Sequence, residues 1–118
     1  MEIMGTSLRV CVADLPAAVA VYERLTGERA QRFDRGAVSV AAVGPFLLMS
    51  GPPAELEVLR KVAATIAVQD VAQAAGVLTE VGAQILAGPM GNASGRTLLA
   101  RHPDGSIFEY VDRGEPAR

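Results

Sequence analysis

The stretch Leu8-Arg9-Val10-Cys11-Val12-Ala13-Asp14-Leu15 returns later in the chain as Ala64-Thr65-Ile66-Ala67-Val68-Gln69-Asp70-Val71. The offset is 56 residues (70 − 14), and it also maps Ala18 onto Ala74. A repeat of this length indicates that one supersecondary unit is present twice and that neither copy buries its apolar face alone. The 118 residues therefore predict a single domain, 1–118, with module one at about 6–50, a connector at 51–61 and module two at about 62–112.

The composition is typical of a globular protein, because half of the residues are apolar and 20% are charged. A net charge of −2 excludes the basic surface that nucleic acid requires. No apolar run reaches the ~20 residues of a membrane span, and the first residues lack a signal-peptide pattern. The single cysteine cannot form an intrachain disulfide. We therefore expect a cytoplasmic protein with no membrane and no nucleic-acid partner.

Each copy of the repeat predicts a strand followed by a helix. Apolar residues alternate up to Asp14, whose carboxylate suits the first turn of a helix, and Gly27 ends that helix. Asp70 and Gly82 repeat these signals. The apolar helical positions are Leu15, Ala18, Val19, Tyr22 and Leu25 in the first copy, and Val71, Ala74, Ala75, Leu78 and Val81 in the second.

Short strands follow each helix, so each half is predicted as β-α-β-β-β. The predicted strands are 29–34, 37–42 and 46–50 in the first half, and 84–87, 96–101 and 107–111 in the second. Residues 51–57 form a turn-rich connector, and residues 88–95 form a flexible loop that serves as a hairpin connection or a pocket lid. The predicted fold class is α+β, two tandem modules forming a curved mixed sheet around a central cavity.

The sequence resembles those of the vicinal oxygen chelate superfamily in two features. This superfamily includes glyoxalase I, extradiol dioxygenases and bleomycin-resistance proteins. One feature is the V-x-D-[LV] junction in each module, and the other is the closing segment 102–110, HPDGSIFEY. That segment is similar to the family's D-P-D-G-[NS]-x-x-E-[LY] pattern, with His102 in place of the first Asp. The resemblance covers the chain from about Thr6 to Asp112 and implies that the two modules enclose a ligand.

Enzymes of this family hold a divalent metal on four positions, and the resemblance places them in this sequence. Two lie seven residues before the junction aspartates, at Ser7 and Ala63, and two lie four residues after the turn glycines, at Leu48 and Glu109. Leu48 and Ala63 have no donor atom, Ser7 offers a neutral hydroxyl, and Glu109 alone offers a carboxylate. We therefore predict no metal and no other cofactor.

Strand alternation predicts the lining of the cavity, because successive side chains point to opposite faces. With the family's ligand positions facing inward, nine ligand-binding residues line the cavity. Ser50 and Val111 also face the cavity, whereas Leu8, Val10 and Val12 lie under the helix. The nine are Ser7, Arg9, Cys11, Phe46, Leu48, Ala63, Thr65, Ile107 and Glu109. The lining is small and mostly apolar, which suits a bulky, partly apolar small molecule.

Several of these residues admit more than one role. Glu109 is a relic metal ligand, an acceptor for a ligand amine or hydroxyl, or the buried partner of Arg9. Arg9 alternatively binds an anionic ligand group. Phe46 is a stacking platform or simple packing.

Other chemistry-bearing residues favour structural roles. Cys11 fits a buried thiol better than a nucleophile, and His102 fits a turn better than catalysis. Arg96 is a solvated charge, with a clamping role as the alternative, and Phe33, Phe108 and Tyr110 are structural. No catalytic triad is predicted.

The leading hypothesis is a metal-independent small-molecule-binding protein of the glyoxalase and bleomycin-resistance type, which captures an apolar or aromatic compound such as an antibiotic. The alternative is a glyoxalase-like or dioxygenase-like enzyme, a lyase, isomerase or oxygenase that uses Glu109. A third possibility is a structural or regulatory module whose cavity is filled by side chains. The resemblance also implies a homodimer.

Overall fold

The computed structural model describes residues 1–92 and 95–113. Its elements, in chain order, are β1 (Ile3–Cys11), α1 (Leu15–Thr26), β2 (Gln31–Arg35), β3 (Val38–Val43), β4 (Phe46–Ser50), α2 (Pro53–Leu59), β5 (Ala64–Val68), α3 (Val71–Glu80), β6 (Gln84–Asn92), β7 (Gly95–Arg101) and β8 (Ile107–Asp112). The predicted α+β class and the tandem β-α-β-β-β order are confirmed. No helix in the described ranges is long and apolar enough to cross a membrane.

The chain groups into two compact units. The first unit is Ser7–Lys61, and the second unit combines Met1–Thr6 with the chain from Val62 onward. The start of β1 therefore belongs to the second unit, where the Gln69 amide donates to the Glu2 carbonyl at 3.3 Å.

Both predicted helix caps are confirmed. The Asp14 carboxylate accepts the Ala17 amide at 3.1 Å, and the Asp70 carboxylate accepts the Ala72 amide at 2.8 Å. These bonds satisfy amides that have no partner within the helix. Helix α1 ends at Gly27, whose φ of 72° is the left-handed conformation that glycine adopts without strain.

In the first unit the strand order is β2-β3-β4-β1, with β1 parallel to β4 and the other pairs antiparallel. Helix α1 packs on one face through Leu15 and Val19. Helix α2 packs on the other face through Leu56 and Leu59. This sheet is therefore covered by a helix on each side.

In the second unit the strand order is β5-β8-β7-β6, with β5 parallel to β8 and the other pairs antiparallel. Helix α3 covers one face. Its buried residues pack against apolar side chains of three strands. The buried cluster contains Ile66, Val68, Val71, Ala74, Leu78, Leu98, Ala100 and Tyr110.

Several local predictions are wrong. Leu25 and Val81 do not face the core, because they are 70% and 60% exposed. Phe33, predicted to be structural, is 45% exposed. Strand β6 continues to residue 92, so most of the predicted flexible loop at 88–95 is part of a long hairpin; residues 93 and 94 lie outside the described ranges. The connector contains α2.

Candidate functional site

The second unit pairs Thr65 directly with Glu109 across the parallel strands β5 and β8. Their neighbours Ile66 and Tyr110 pack under α3, so Thr65 and Glu109 lie on the opposite face, as the alternation predicts. The Thr65 hydroxyl donates to Glu109 Oε1 at 3.0 Å, and both side chains are buried. This is a fixed, hydrogen-bonded carboxylate in the strand pair.

Two further candidate residues lie at the start of the same strand pair. The Ala63 amide donates to the Ile107 carbonyl at 2.7 Å, which joins the beginning of β5 to β8. Ala63 is exposed and Ile107 is half-buried. The structure thus brings Ala63, Thr65, Ile107 and Glu109 together on one strand pair. Ligand binding by these residues stays a prediction.

In the first unit, Arg9 and Cys11 lie on the sheet face opposite α1. The residues that alternate with them, Val10 and Val12, pack towards α1, whereas Cys11 packs with the cluster under α2. Arg9 is half-buried, and its Nη2 lies 3.6 Å from the Met49 sulfur. Ser7 is on the same side by alternation. Leu8, predicted to pack under the helix, is 51% exposed.

The predicted inward orientation of Phe46 and Leu48 is wrong. Leu48 is fully buried in the cluster under α1. Phe46 contacts the Tyr22 ring of α1 edge to face, with ring centroids 4.8 Å apart. Phe46 is therefore packing for the helix, and the stacking-platform interpretation does not apply. By the same alternation, Ser50 shares the face of Leu48.

Turn length explains this one-residue error. Arg9 pairs with Leu47, as Thr65 pairs with Glu109, so Leu47 is the structural counterpart of Glu109. The β3–β4 turn closes on the pair Val43 and Phe46, whereas five residues (102–106) separate β7 from β8. Counting four residues from the turn glycine is valid for the longer turn only. A shift of one residue moves every side chain to the other face.

Helix α2 covers the face of the first sheet on which Arg9 and Cys11 lie. Leu56 is 7% exposed and packs with Val38, Val40 and Met49. The sequence contains the signal for this helix, since Pro53 suits a first helical turn and Leu56 and Leu59 are three residues apart. Part of this predicted ligand-facing surface is thus occupied by the protein itself.

Arg96 forms a partly exposed ion-pair cluster in the second unit. Its Nη2 lies 3.0 Å from carboxylate oxygens of both Asp70 and Asp112. Asp112 is buried and also accepts the Val71 amide at 2.7 Å, which ties β8 to the start of α3. The hydrogen bond with Asp112 raises the pKa of Arg96. Arg96 is therefore a partly exposed charge, as predicted, that also ties β7 to Asp70 and Asp112.

His102 also has a defined contact that the turn interpretation missed. Its Nε2 lies 2.7 Å from the Tyr110 hydroxyl, and its ring centroid lies 4.5 Å from that of Phe108. Burial raises the pKa of Tyr110 above its ordinary 10.0. The histidine thus supplies a hydrogen-bond partner for a buried phenol and belongs to the packing of β8.

The residues at the family's metal positions do not fit a divalent ion. With the corrected register, the first unit supplies Ser7 and Leu47, which is one neutral hydroxyl. The second unit supplies Ala63 and Glu109, and this carboxylate already accepts the Thr65 hydroxyl. Hard cations in proteins need several oxygen ligands. Within residues 1–92 and 95–113, no three His, Cys, Asp or Glu side chains converge on one point.

Comparison with solved structures places this fold among known ones. Methylmalonyl-CoA epimerase from Mycobacterium tuberculosis superposes with a TM-score of 0.70 at 19% identity, over 96% of this chain and 90% of the epimerase. A variant of the Streptomyces coelicolor epimerase, solved with 2-nitronate-propionyl-CoA, gives 0.70 at 19% identity over 97% and 100%. No protein-family model and no curated protein matches the sequence.

The fold is that of methylmalonyl-CoA epimerase. An uncharacterized protein from Methanosarcina mazei is more similar to this chain, at 34% identity and a TM-score of 0.92, with 100% of this chain and 98% of that protein covered. The chain belongs to the same family as this archaeal protein. The epimerase likenesses establish the fold alone.

Proposed function

We propose that the protein is a metal-independent small-molecule-binding protein of the glyoxalase and bleomycin-resistance type. The observation that carries this proposal is the donor set at the family's metal positions, in which Glu109 is the one carboxylate and is engaged by Thr65. A hydrogen-bonded carboxylate among apolar neighbours suits a ligand amine or hydroxyl better than a metal ion.

The proposed ligand is an apolar or aromatic compound with one hydrogen-bonding group. Antibiotics of this chemistry are the first class to test, because drug capture is what the bleomycin-resistance resemblance implies. Binding without reaction requires no catalytic group.

A thermal-shift screen with hydrophobic antibiotics and aromatic metabolites tests the proposal. A ligand at about 100 times its dissociation constant stabilises the folded state by about 2.7 kcal/mol, which is readily detected. Glu109→Gln is the matched variant, and it should weaken binding of amine ligands more than binding of neutral ones. A screen without a stabilising compound would contradict the proposal.

Metal content is the second measurement. We expect purified protein to carry far less than one equivalent of nickel, zinc, iron or manganese after gel filtration. One tightly held ion per chain, lost in Glu109→Gln, would instead support the metal enzyme.

A second candidate function, a metal-independent enzyme that uses Glu109, draws support from the likeness to the epimerases. Its test is incubation with methylmalonyl-CoA in deuterated water, followed by mass spectrometry. We expect no deuterium incorporation above the protein-free rate. Incorporation that Glu109→Gln abolishes would favour the enzyme.

We also propose that the protein is a homodimer, as the resemblance implies. Ile3 and Met4 are 55% and 63% exposed, and exposed apolar residues of this kind are typical of protein contacts. Light scattering after gel filtration should give twice the mass of the chain, and a monomer at all concentrations would contradict this.

A further inference from the structure

The first unit contains an open cleft beside α2 with a volume of about 360 Å³. It lies next to the last residue of β1 and the last residue of β4. Residues at both ends of α2 also line it. The lining residues are Cys11, Val12, Ala13, Ser50, Gly51, Pro53, Leu56 and Arg60. This volume falls within the range of small-molecule sites, roughly 300–1,000 Å³.

The cleft combines apolar side chains, polar groups and one cation. Val12, Pro53 and Leu56 supply apolar surface, and the Ser50 hydroxyl donates to the Ala13 carbonyl at 3.4 Å. Arg60 is exposed, directly follows the last residue of α2, and forms no ion pair with any residue of the described ranges. A guanidinium beside apolar surface complements a molecule with an anionic head and an apolar body.

Helix α2 is a weakly attached wall of this cleft. It has seven residues, and no side chain of residues 1–92 or 95–113 caps its first turn. Its apolar contacts with the sheet are made by Leu56 and Leu59. Its backbone forms the usual helical hydrogen bonds, such as the one from the Arg60 amide to the Leu56 carbonyl at 2.9 Å. A short helix held by two leucines can shift at low free-energy cost.

We propose that this cleft is a binding site for a small amphipathic anion, with the apolar body against Val12, Pro53 and Leu56 and the anionic group on Arg60. This proposal rests on the proposed function only in that both assign small-molecule binding to the chain. The cleft residues all belong to the first unit and do not include Thr65 or Glu109, so the two sites are tested separately. The proposed ligand class is a monocarboxylate with a short apolar chain.

Octanoate is the probe, followed by NMR titration of the full-length protein. We expect the largest amide shifts at residues 11–13 and 50–60, with a dissociation constant on the order of 0.1–1 mM. Hydrogen exchange of the α2 amides should slow when octanoate is bound, because the ligand holds the helix against the sheet.

Variants test the assigned contacts. Arg60→Gln should weaken octanoate binding about three- to tenfold, as removal of an exposed charge-assisted contact does. Arg24→Gln, at another exposed arginine near the end of α1, is the matched control and should leave octanoate binding unchanged. Octanamide has the same chain without the charge, so it should bind wild type and Arg60→Gln equally.

Three results would overturn the proposal: no saturable binding of octanoate, shifts confined to other residues, or equal affinity of wild type and Arg60→Gln. Because these measurements use octanoate and Arg60, their failure leaves the antibiotic screen and Glu109→Gln as independent tests of the proposed function. A failed screen with octanoate binding intact would contradict the proposed function alone.

Discussion

The Thr65 hydroxyl donates a hydrogen bond to Glu109 Oε1 at 3.0 Å, and each residue is 7% exposed. The two residues are direct partners on parallel strands, so the sheet register alone places the donor beside the acceptor. A buried carboxylate needs such partners, because an unsatisfied one loses its hydration without compensation. The free energy of unfolding should therefore depend on the Thr65 hydroxyl.

Thr65→Val removes this donor at nearly constant side-chain volume. We expect a loss of about 1–3 kcal/mol in the free energy of unfolding, because Glu109 stays buried with one hydrogen bond fewer. Urea denaturation followed by circular dichroism measures it. Thr65→Ser keeps the hydroxyl and should retain most of the stability. A stable Thr65→Val beside a destabilised Thr65→Ser would show that the methyl group matters instead.

Asp112→Asn tests the contact between β8 and α3. The buried Asp112 carboxylate accepts the Val71 amide, the Arg96 amide and the Arg96 guanidinium, so its charge is compensated by three donors. We expect the free energy of unfolding to fall by about 1–3 kcal/mol, measured by urea denaturation. Asp104→Asn, in an exposed turn, is the control and should cause a smaller loss. A comparable loss in the two variants would contradict the assigned role.

The features predicted correctly from the sequence are those determined by local interactions. Asp14 and Asp70 are capping residues because their side chains reach amides two or three residues away. The strand predicted at 46–50 likewise coincides with β4. Such signals lie within a few residues of each other, so one sequence is sufficient to interpret them.

The features that the sequence does not predict depend on lengths or on contacts between distant segments. The face of Leu48 depends on the turn that precedes β4, and the family spacing assumes the wrong turn length. Arg96 and Asp112 are 16 residues apart, so their pairing requires the β7–β8 register. Helix α2 is not predicted because Gly51 and Pro52, which precede it, are typical of a turn. For the candidate site, the predicted orientation is correct for the second-unit pair and wrong for Phe46 and Leu48.

Leu48→Ala and Leu47→Ala test the corrected orientation of β4. Leu48 is fully buried under α1, so its truncation should cost about 2–5 kcal/mol of unfolding free energy. Leu47 is half-buried on the opposite face and should cost clearly less. Urea denaturation of the two variants decides the matter. The reverse order would restore the orientation expected from the family spacing.

Burial of Tyr110 predicts a loss of stability at alkaline pH. Its pKa in the folded state is raised above 10.0 by desolvation, so folding favours the neutral phenol. The stabilisation from this group is fully present below pH 10 and is lost as the pH rises through the folded-state pKa. Tyr110→Phe has no ionisable hydroxyl, so its free energy of unfolding should not show this decrease at alkaline pH. At neutral pH it should lose only a modest amount of stability, from the missing contact to His102. Urea denaturation at a series of pH values from neutral to above 10 measures the difference. Tyr22→Phe, which keeps Tyr110, is the control, and its stability should decrease at alkaline pH as that of wild type does. Parallel curves for wild type and Tyr110→Phe across this range would show that the buried phenol does not couple to folding.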